Sequence, residues 1–148
     1  VDVQGGEMGV FSGAKERLSE ALMIHTEVQF VPFYQDQPLF AELDQELRAA
    51  GFWFHKFAPI HSRVFKPLVV NNDIYAGMSQ QLWTDAVYVR PFVDFPCLEP
   101  SQLLKIAVLA HDLYQSYDLA LLALQHLATR EGSERHLRYL ERLSAVIT

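Results

Sequence analysis

The sequence is short of cysteine, of positive charge and of long apolar runs, and each shortage excludes something. Cys97 is the one cysteine in 148 residues, so neither an internal disulfide nor a cysteine-rich zinc site can form. A lone thiol between Pro96 and Leu98 reads as a small loop residue and is compatible with a cytoplasmic protein. Lys and Arg number 12 against 18 Asp and Glu, for a net charge of −6. No basic run exceeds two residues, which makes nucleic acid and anionic membrane poor partners. No stretch approaches the roughly 18 continuous apolar residues of a membrane-spanning helix. The six histidines lack the spacing of a helical metal motif: His55 and His61 flank a loop, and His111 and His126 fall on different expected helices. No metal site is expected. Glycine is sparse, with no G-x-G triplet and a single adjacent pair, Gly5-Gly6.

What is present is a folding sequence. Half of the residues are hydrophobic and 12% are aromatic, enough for a sizeable core in one chain of this length. The chain opens on VDVQGGE. Val1 to Val3 resembles the last turn of a buried strand, followed by a turn at Gln4-Gly5-Gly6. Glu7 to Phe11 suggests a short helical turn, and Ser12 an N-cap for a helix through Glu20. Leu22 to Phe30 alternates as a strand does. Leu22, Ile24, Val28 and Phe30 take one face; Met23, His25, Glu27 and Gln29 take the other. A loop follows at Pro32 to Asp36. The spacing of Leu39, Phe40, Leu43 and Leu47 predicts a helix over Pro38 to Ala50, with Pro38 in its first turn and Gly51 closing it. Phe52 to Phe57 reads as a short aromatic strand. Strand, helix, strand, helix, strand argues for a layered α/β sheet, whose ligands usually lie at the carboxyl ends of the strands.

Val64 to Val70 and Thr84 to Phe92 are further strand candidates, separated by Asn71, Asn72, Asp73 and Gly77. Beyond Pro100 the pattern is helical only. Leu103 to Tyr114 serves one helix, and Leu119 to Leu127, closed by Gly132, a second. Ser133 caps a third, with Leu137, Leu140, Leu143 and Ile147 facing inward. Residues 1–99 and 100–148 are therefore expected as an α/β part and a helical tail. The stretch LAHDLYQSYDLALLALQHL at 109–127 has the small and aromatic spacing of a tetratricopeptide-like hairpin. It supports an alternative function, a helical-hairpin interaction module on an α/β domain without catalysis.

Polar residues stand out against this frame. Asp2 and Glu7 bracket the glycine turn. His25 and Glu27 lie on the polar face of an otherwise apolar strand, where they need partners, water or a ligand. A carboxylate at a strand end can attract a cationic group or accept a proton in a displacement reaction.

The motifs D-V-Q-G-G-E at 2–7, F-S-G-A at 11–14, E-V-Q-F-V-P-F-Y at 27–34, Q-P-L-F-A-E-L at 37–43 and G-F at 51–52 resemble, in order, those of FkbM-type methyltransferases. The likeness covers about residues 1 to 57. D-A-V-Y-V-R at 85–90 and Y-D-L-A at 117–120 resemble a tail found in part of that family. The resemblance implies a partial Rossmann-like sheet of the class I methyltransferase type with a C-terminal helical appendage. It implies S-adenosylmethionine as cofactor, bound by the full-length parent, and methylation of an oxygen on a sugar, lipid-linked or secondary-metabolite hydroxyl. Asp2 matches the acid ending the fourth strand, beside the cofactor's methyl end, as the catalytic residue. Asp2 and Gln4 would contact the cofactor; Gln4 stands where the family often has Glu, which weakens a base role there. Glu7, His25, Glu27 and Tyr34 would line the site of a small-molecule hydroxyl acceptor. The absent G-x-G implies that the chain begins mid-fold, that the isolated chain has little activity, and that an exposed sheet edge favours homo-oligomers.

Overall fold

Alternation along Met23–Gln29 becomes strand β1, and its two faces go to different surroundings. Val28 and Thr26 are fully buried on one face, and His25 is exposed on the other. The computed structural model describes residues 1–147, with side-chain surroundings given through Ala145. Two short helices precede β1: α1 at Glu7–Gly13 and α2 at Lys15–Glu20. Ser12, expected as the cap of the second helix, lies inside α1. The cap position of α2 belongs to Ala14, which has no side chain to bond with.

Helix α3 spans Phe40–Ala49 and buries Leu43 and Leu47. It starts two residues later than expected. Pro38 therefore stands outside its first turn, and the orphan N–H of Leu39 donates to Oε2 of Glu42 at 3.0 Å. Its other end closes as the sequence suggests. Gly51 takes φ +85°, its N–H donates to the Arg48 carbonyl, and the Phe52 N–H reaches back to Leu47, both at 3.0 Å. This paired closure needs a left-handed residue, which glycine adopts without strain.

Strand β2 is Trp53–Phe57, with a bulge at His55, and β3 is the short His61–Arg63. Strand β4, Gln80–Val89, is the centre of the sheet. It pairs antiparallel with β1 along one side and with β2 and β3 along the other, so β1 and β2 run parallel to each other. The expected strand at Thr84–Phe92 thus begins four residues earlier, where Gln80 to Trp83 finds β3. It stops before Pro91, which has no N–H for a ladder. No strand forms at Val64–Val70. The segment has only the isolated bridge Val70–Asp73, and Phe65, Leu68 and Val69 are exposed. Apolar composition without a partner edge does not make a strand.

The helices cover one face of this sheet. Phe11, Leu18, Val28, Leu43, Leu47, Phe52, Ala86 and Tyr88 form the core. At its border Phe30, Phe40, Phe54 and Phe57 meet edge to face or tilted, with ring centres 4.5–6.1 Å apart. Arg90, just past β4, donates to the carbonyls of Leu18, Ser19, Ala21, Ala50 and Gly51, with its guanidinium 4.1 Å from the Phe52 ring centre. One cation thereby serves the carbonyl ends of both α2 and α3.

The chain divides into two compact units, Val1–Arg90 and Pro91–Thr148. The sheet just described belongs to the first. The second opens with a 3-10 helix, Phe92–Cys97, that buries Phe95. Helix α4 follows at Pro100–Asp112 with proline at its first position, then α5 at Tyr117–Glu131, ended by Gly132, and α6 at Arg135–Ile147. Ala107, Ala110, Ala120, Ala123 and Ala128 are buried with Leu103, Ile106 and Leu127, so small side chains line the α4–α5 contact. Helix α6 departs from expectation. Leu137 is 46% exposed and Leu140 43%, while His136, Tyr139 and Leu143 turn inward. A tyrosine and a histidine displace the leucines because His111 Nδ1 lies 2.8 Å from the Tyr139 hydroxyl and fixes that face. Ser133 stands one residue ahead of the cap position and its Oγ has no partner among the described residues. The inward position expected of Ile147 lies outside the described side chains. Among the described residues no helix is long and apolar enough to cross a membrane.

Candidate functional site

Antiparallel pairing places directly opposed residues on the same face of a sheet. The register opposes Glu27 to Asp85, His25 to Val87 and Gln29 to Trp83, and also Trp83 to His61. The polar residues of β1 therefore share one face with Trp83 and Asp85 of β4, opposite the helix-covered core.

The opening turn docks on the free edge of β1. The Val1 amino group donates to the His25 carbonyl, and the Glu27 N–H donates to the Val1 carbonyl at 3.0 Å. These two bonds straddle Thr26 in the pattern of a parallel pair, although Val1 to Val3 is too short to be a strand. Asp2 is thereby set beside Glu27. Gln4 and Gly5 then turn with φ +55° and +99°. A side chain at Gly5 would begin 3.0 Å from Cδ2 of Tyr34 and 3.3 Å from Nε2 of Gln37, so only glycine lets the Tyr34 loop come this close.

Glu7 is 1% exposed and sits beneath the turn. Its carboxylate accepts the Val3 N–H at 2.9 Å and the Gly5 N–H at 3.1 Å. Above it, the side-chain amide of Gln4 donates to Asp2 Oδ1 at 2.8 Å, and Gln4 Oε1 lies 3.4 Å from the Tyr34 hydroxyl. Tyr34 is half exposed, and its loop is held by Gln37, whose Oε1 accepts the N–H groups of Phe33 and Tyr34. The Nε2 of Gln37 is buried without a hydrogen-bond partner among the described residues.

Glu27 accepts a hydrogen bond from Nε2 of Gln29. Burial, first, and then the negative charge of Asp2 push its carboxyl above the ordinary range. Glu7 and Asp85 add to this and the Gln29 bond opposes it. His25 reaches across to the residue opposite Glu27, with Nε2 3.3 Å from Asp85 Oδ2 and both side chains nearly half exposed.

The structure thus joins Asp2, Gln4, Glu7, Glu27 and Tyr34 in one constellation through named contacts. His25 borders it, paired with Asp85. Gln29, Gln37 and Asp85 belong to it as well; each falls within a quoted motif, and none is among the expected site residues. Gln29 is legible, being two residues from Glu27 on one strand face; Asp85 needs the β1–β4 register, and Gln37 enters through the internal bonding of the Tyr34 loop. Among the described residues no three His, Cys, Asp or Glu side chains come together as a metal site.

Residues 1–54 match the family model of the methyltransferase FkbM domain. No curated protein and no solved structure gives a significant match. The FkbM match contains the glycine turn, all of β1, the Tyr34 loop and α3, which are the segments whose motifs carry the resemblance. It ends at the second residue of β2, so the weaker similarities at 85–90 and 117–120 lie outside it. Apart from Asp85, which β4 supplies, the constellation lies inside the segment that matches a methyltransferase domain.

Proposed function

We propose that the unit Val1–Arg90 is part of a Rossmann-like, S-adenosylmethionine-dependent methyltransferase that methylates a hydroxyl oxygen, on a sugar, lipid-linked or secondary-metabolite acceptor. The observation that carries this is the docking of the FkbM-matching turn against β1, which brings Asp2 to Glu27. Parallel strands β1 and β2, joined through α3, with an antiparallel strand between them, suit an open α/β sheet of mixed direction.

The residues fit the cationic end of such a cofactor by their chemistry. Around the turn stand the carboxylates of Asp2 and Glu27 and the amide oxygen of Gln4, and the charges acting on Glu27 are all negative. When bound, the cofactor supplies a methyl group activated by sulfonium charge. Asp2, oriented by Gln4, holds that positive centre electrostatically. Glu27, with its raised carboxyl, accepts the proton leaving the acceptor hydroxyl, since a base nearer neutrality transfers protons more effectively. Tyr34 positions the acceptor over the turn. Glu7 acts beneath, fixing the backbone that presents Asp2.

S-adenosylhomocysteine titrated calorimetrically into this chain, and into the chain within its complete translated protein, tests the reading. Binding is expected to weaken about tenfold in Asp2→Asn, the loss of one charge contact. In Glu27→Gln binding is expected to persist while methyl transfer is lost. Absence of binding in both forms of the protein overturns the assignment.

A further inference from the structure

Beside the constellation lies a second cluster, at the β3 end of the same sheet face. The imidazole of His61 stacks on Trp83, with ring centres 4.7 Å apart and planes at 10°. The guanidinium of Arg63 sits 5.1 Å from the Trp83 ring centre and 5.6 Å from that of Tyr75. Phe33 meets Trp83 edge to face at 5.9 Å.

Arg63 is unusual in a chain that carries a net charge of −6. One of its nitrogens donates to the Ser62 carbonyl at 2.8 Å, and no carboxylate pairs with it among the described residues. The nearby Asp73 is engaged elsewhere, accepting the Tyr75 N–H at 2.8 Å. The two rings flank the guanidinium, one of its N–H groups goes to the Ser62 carbonyl, and a guanidinium so placed can grip an oxyanion with two bonds.

The cluster is continuous with the methyltransferase constellation. Phe33 precedes Tyr34, whose hydroxyl meets Gln4, and Trp83 opposes Gln29, which holds Glu27. We propose that Arg63, framed by Trp83 and Tyr75, binds a carboxylate or phosphate group of the methyl acceptor. The acceptor is therefore anionic, with its oxyanion on Arg63 and its hydroxyl toward Glu27. The word acceptor rests on the methyltransferase reading; the oxyanion site does not.

The test uses the tryptophan beside the guanidinium as its probe. In a Trp53→Phe chain Trp83 is the one remaining tryptophan. Its fluorescence is followed during titration with glucose 1-phosphate, glucuronate and glucose. Saturable quenching by one or both anionic sugars, with none by glucose, is expected, and the two anionic arms distinguish phosphate from carboxylate. Arg63→Gln is expected to weaken that binding at least tenfold, and Arg63→Lys, which keeps the charge and loses the fork, by less. An unchanged far-ultraviolet spectrum checks the fold of each variant. Equal response to glucose, an unchanged affinity in Arg63→Gln, or no saturation at millimolar ligand overturns the proposal. S-adenosylhomocysteine calorimetry on the same samples separates the two ideas. Cofactor binding without anion binding sinks this site and leaves the methyltransferase reading standing; anion binding with no cofactor binding in either this chain or its complete translated protein does the reverse.

Discussion

The two units are stabilised in opposite ways. Val1–Arg90 depends on contacts between residues far apart in sequence: strand pairs, an arginine that reaches back about seventy residues, and a border of interlocking phenylalanines. Pro91–Thr148 depends on neighbours, with helices in sequence order whose contact is lined by alanine. The first unit holds polar groups inside and gives several of them a specific long-range or turn partner, as with Glu7 and Tyr88. The second buries alanines among larger apolar side chains and leaves leucines of α4 and α6 exposed. Long-range polar ties are what allow the first unit to fix a constellation drawn from a turn, a strand and a loop. They also make single substitutions there more damaging.

The largest expected effect follows from Arg90→Met. Five backbone carbonyls at the ends of α2 and α3 lose a charged donor. The cost is about 3 kcal/mol or more. Both tryptophans, Trp53 and Trp83, lie in the first unit, so their fluorescence reports its unfolding separately. Its midpoint in denaturant should fall sharply while the helical far-ultraviolet signal of the second unit keeps a transition at the parent position. A joint fall of both signals would show that the units unfold as one. Next in size is Ala120→Leu. Ala120 is fully buried on α5, and three added carbons cost roughly 1–3 kcal/mol by overpacking. The helical transition should move and the tryptophan transition should not. Tyr88→Phe comes third. It removes the 3.0 Å bond to Asp44, which still holds Arg48 at 2.7 Å, for a loss of about 1 kcal/mol in the first unit.

Glu27→Gln is the smallest and has the opposite sign. The carboxyl of Glu27 lies above the ordinary range, so the folded chain binds that proton more tightly than the unfolded one. Its favourable contribution is complete below about pH 4.5 and is lost as pH rises through the raised value. The amide avoids that loss. The tryptophan transition of Glu27→Gln should match the parent in acid and exceed it slightly at neutral pH. A variant less stable than the parent at neutral pH would mean that the carboxylate is satisfied where it stands.

Sequence pattern revealed what depends on neighbours. The alternation of β1, the stripe and glycine closure of α3, and the helical character after Pro100 all emerge from local periodicity and turn chemistry. It missed what depends on distant partners. Val64–Val70 has strand composition and no edge to join. Gln80–Trp83 has little strand character and joins β3. Leu137 and Leu140 lie on the stripe expected to face inward, yet the His111–Tyr139 contact turns another face in. At the candidate site, Asp2, Glu27 and Tyr34 were legible from motif and position. Asp85 and Gln37 were not, because strand register and a loop's internal bonding bring them there.

Strand β4 has one more consequence, for the order in which the chain is made. β1, β2 and β3 each find their strand partner in β4, which is the last of the four to be synthesised. At roughly 5–20 residues per second, β1 waits several seconds with its β4-facing edge unpaired while about fifty more residues emerge. The nascent first unit therefore offers open strand edges to chaperones, and to other chains, until Val89 is in place.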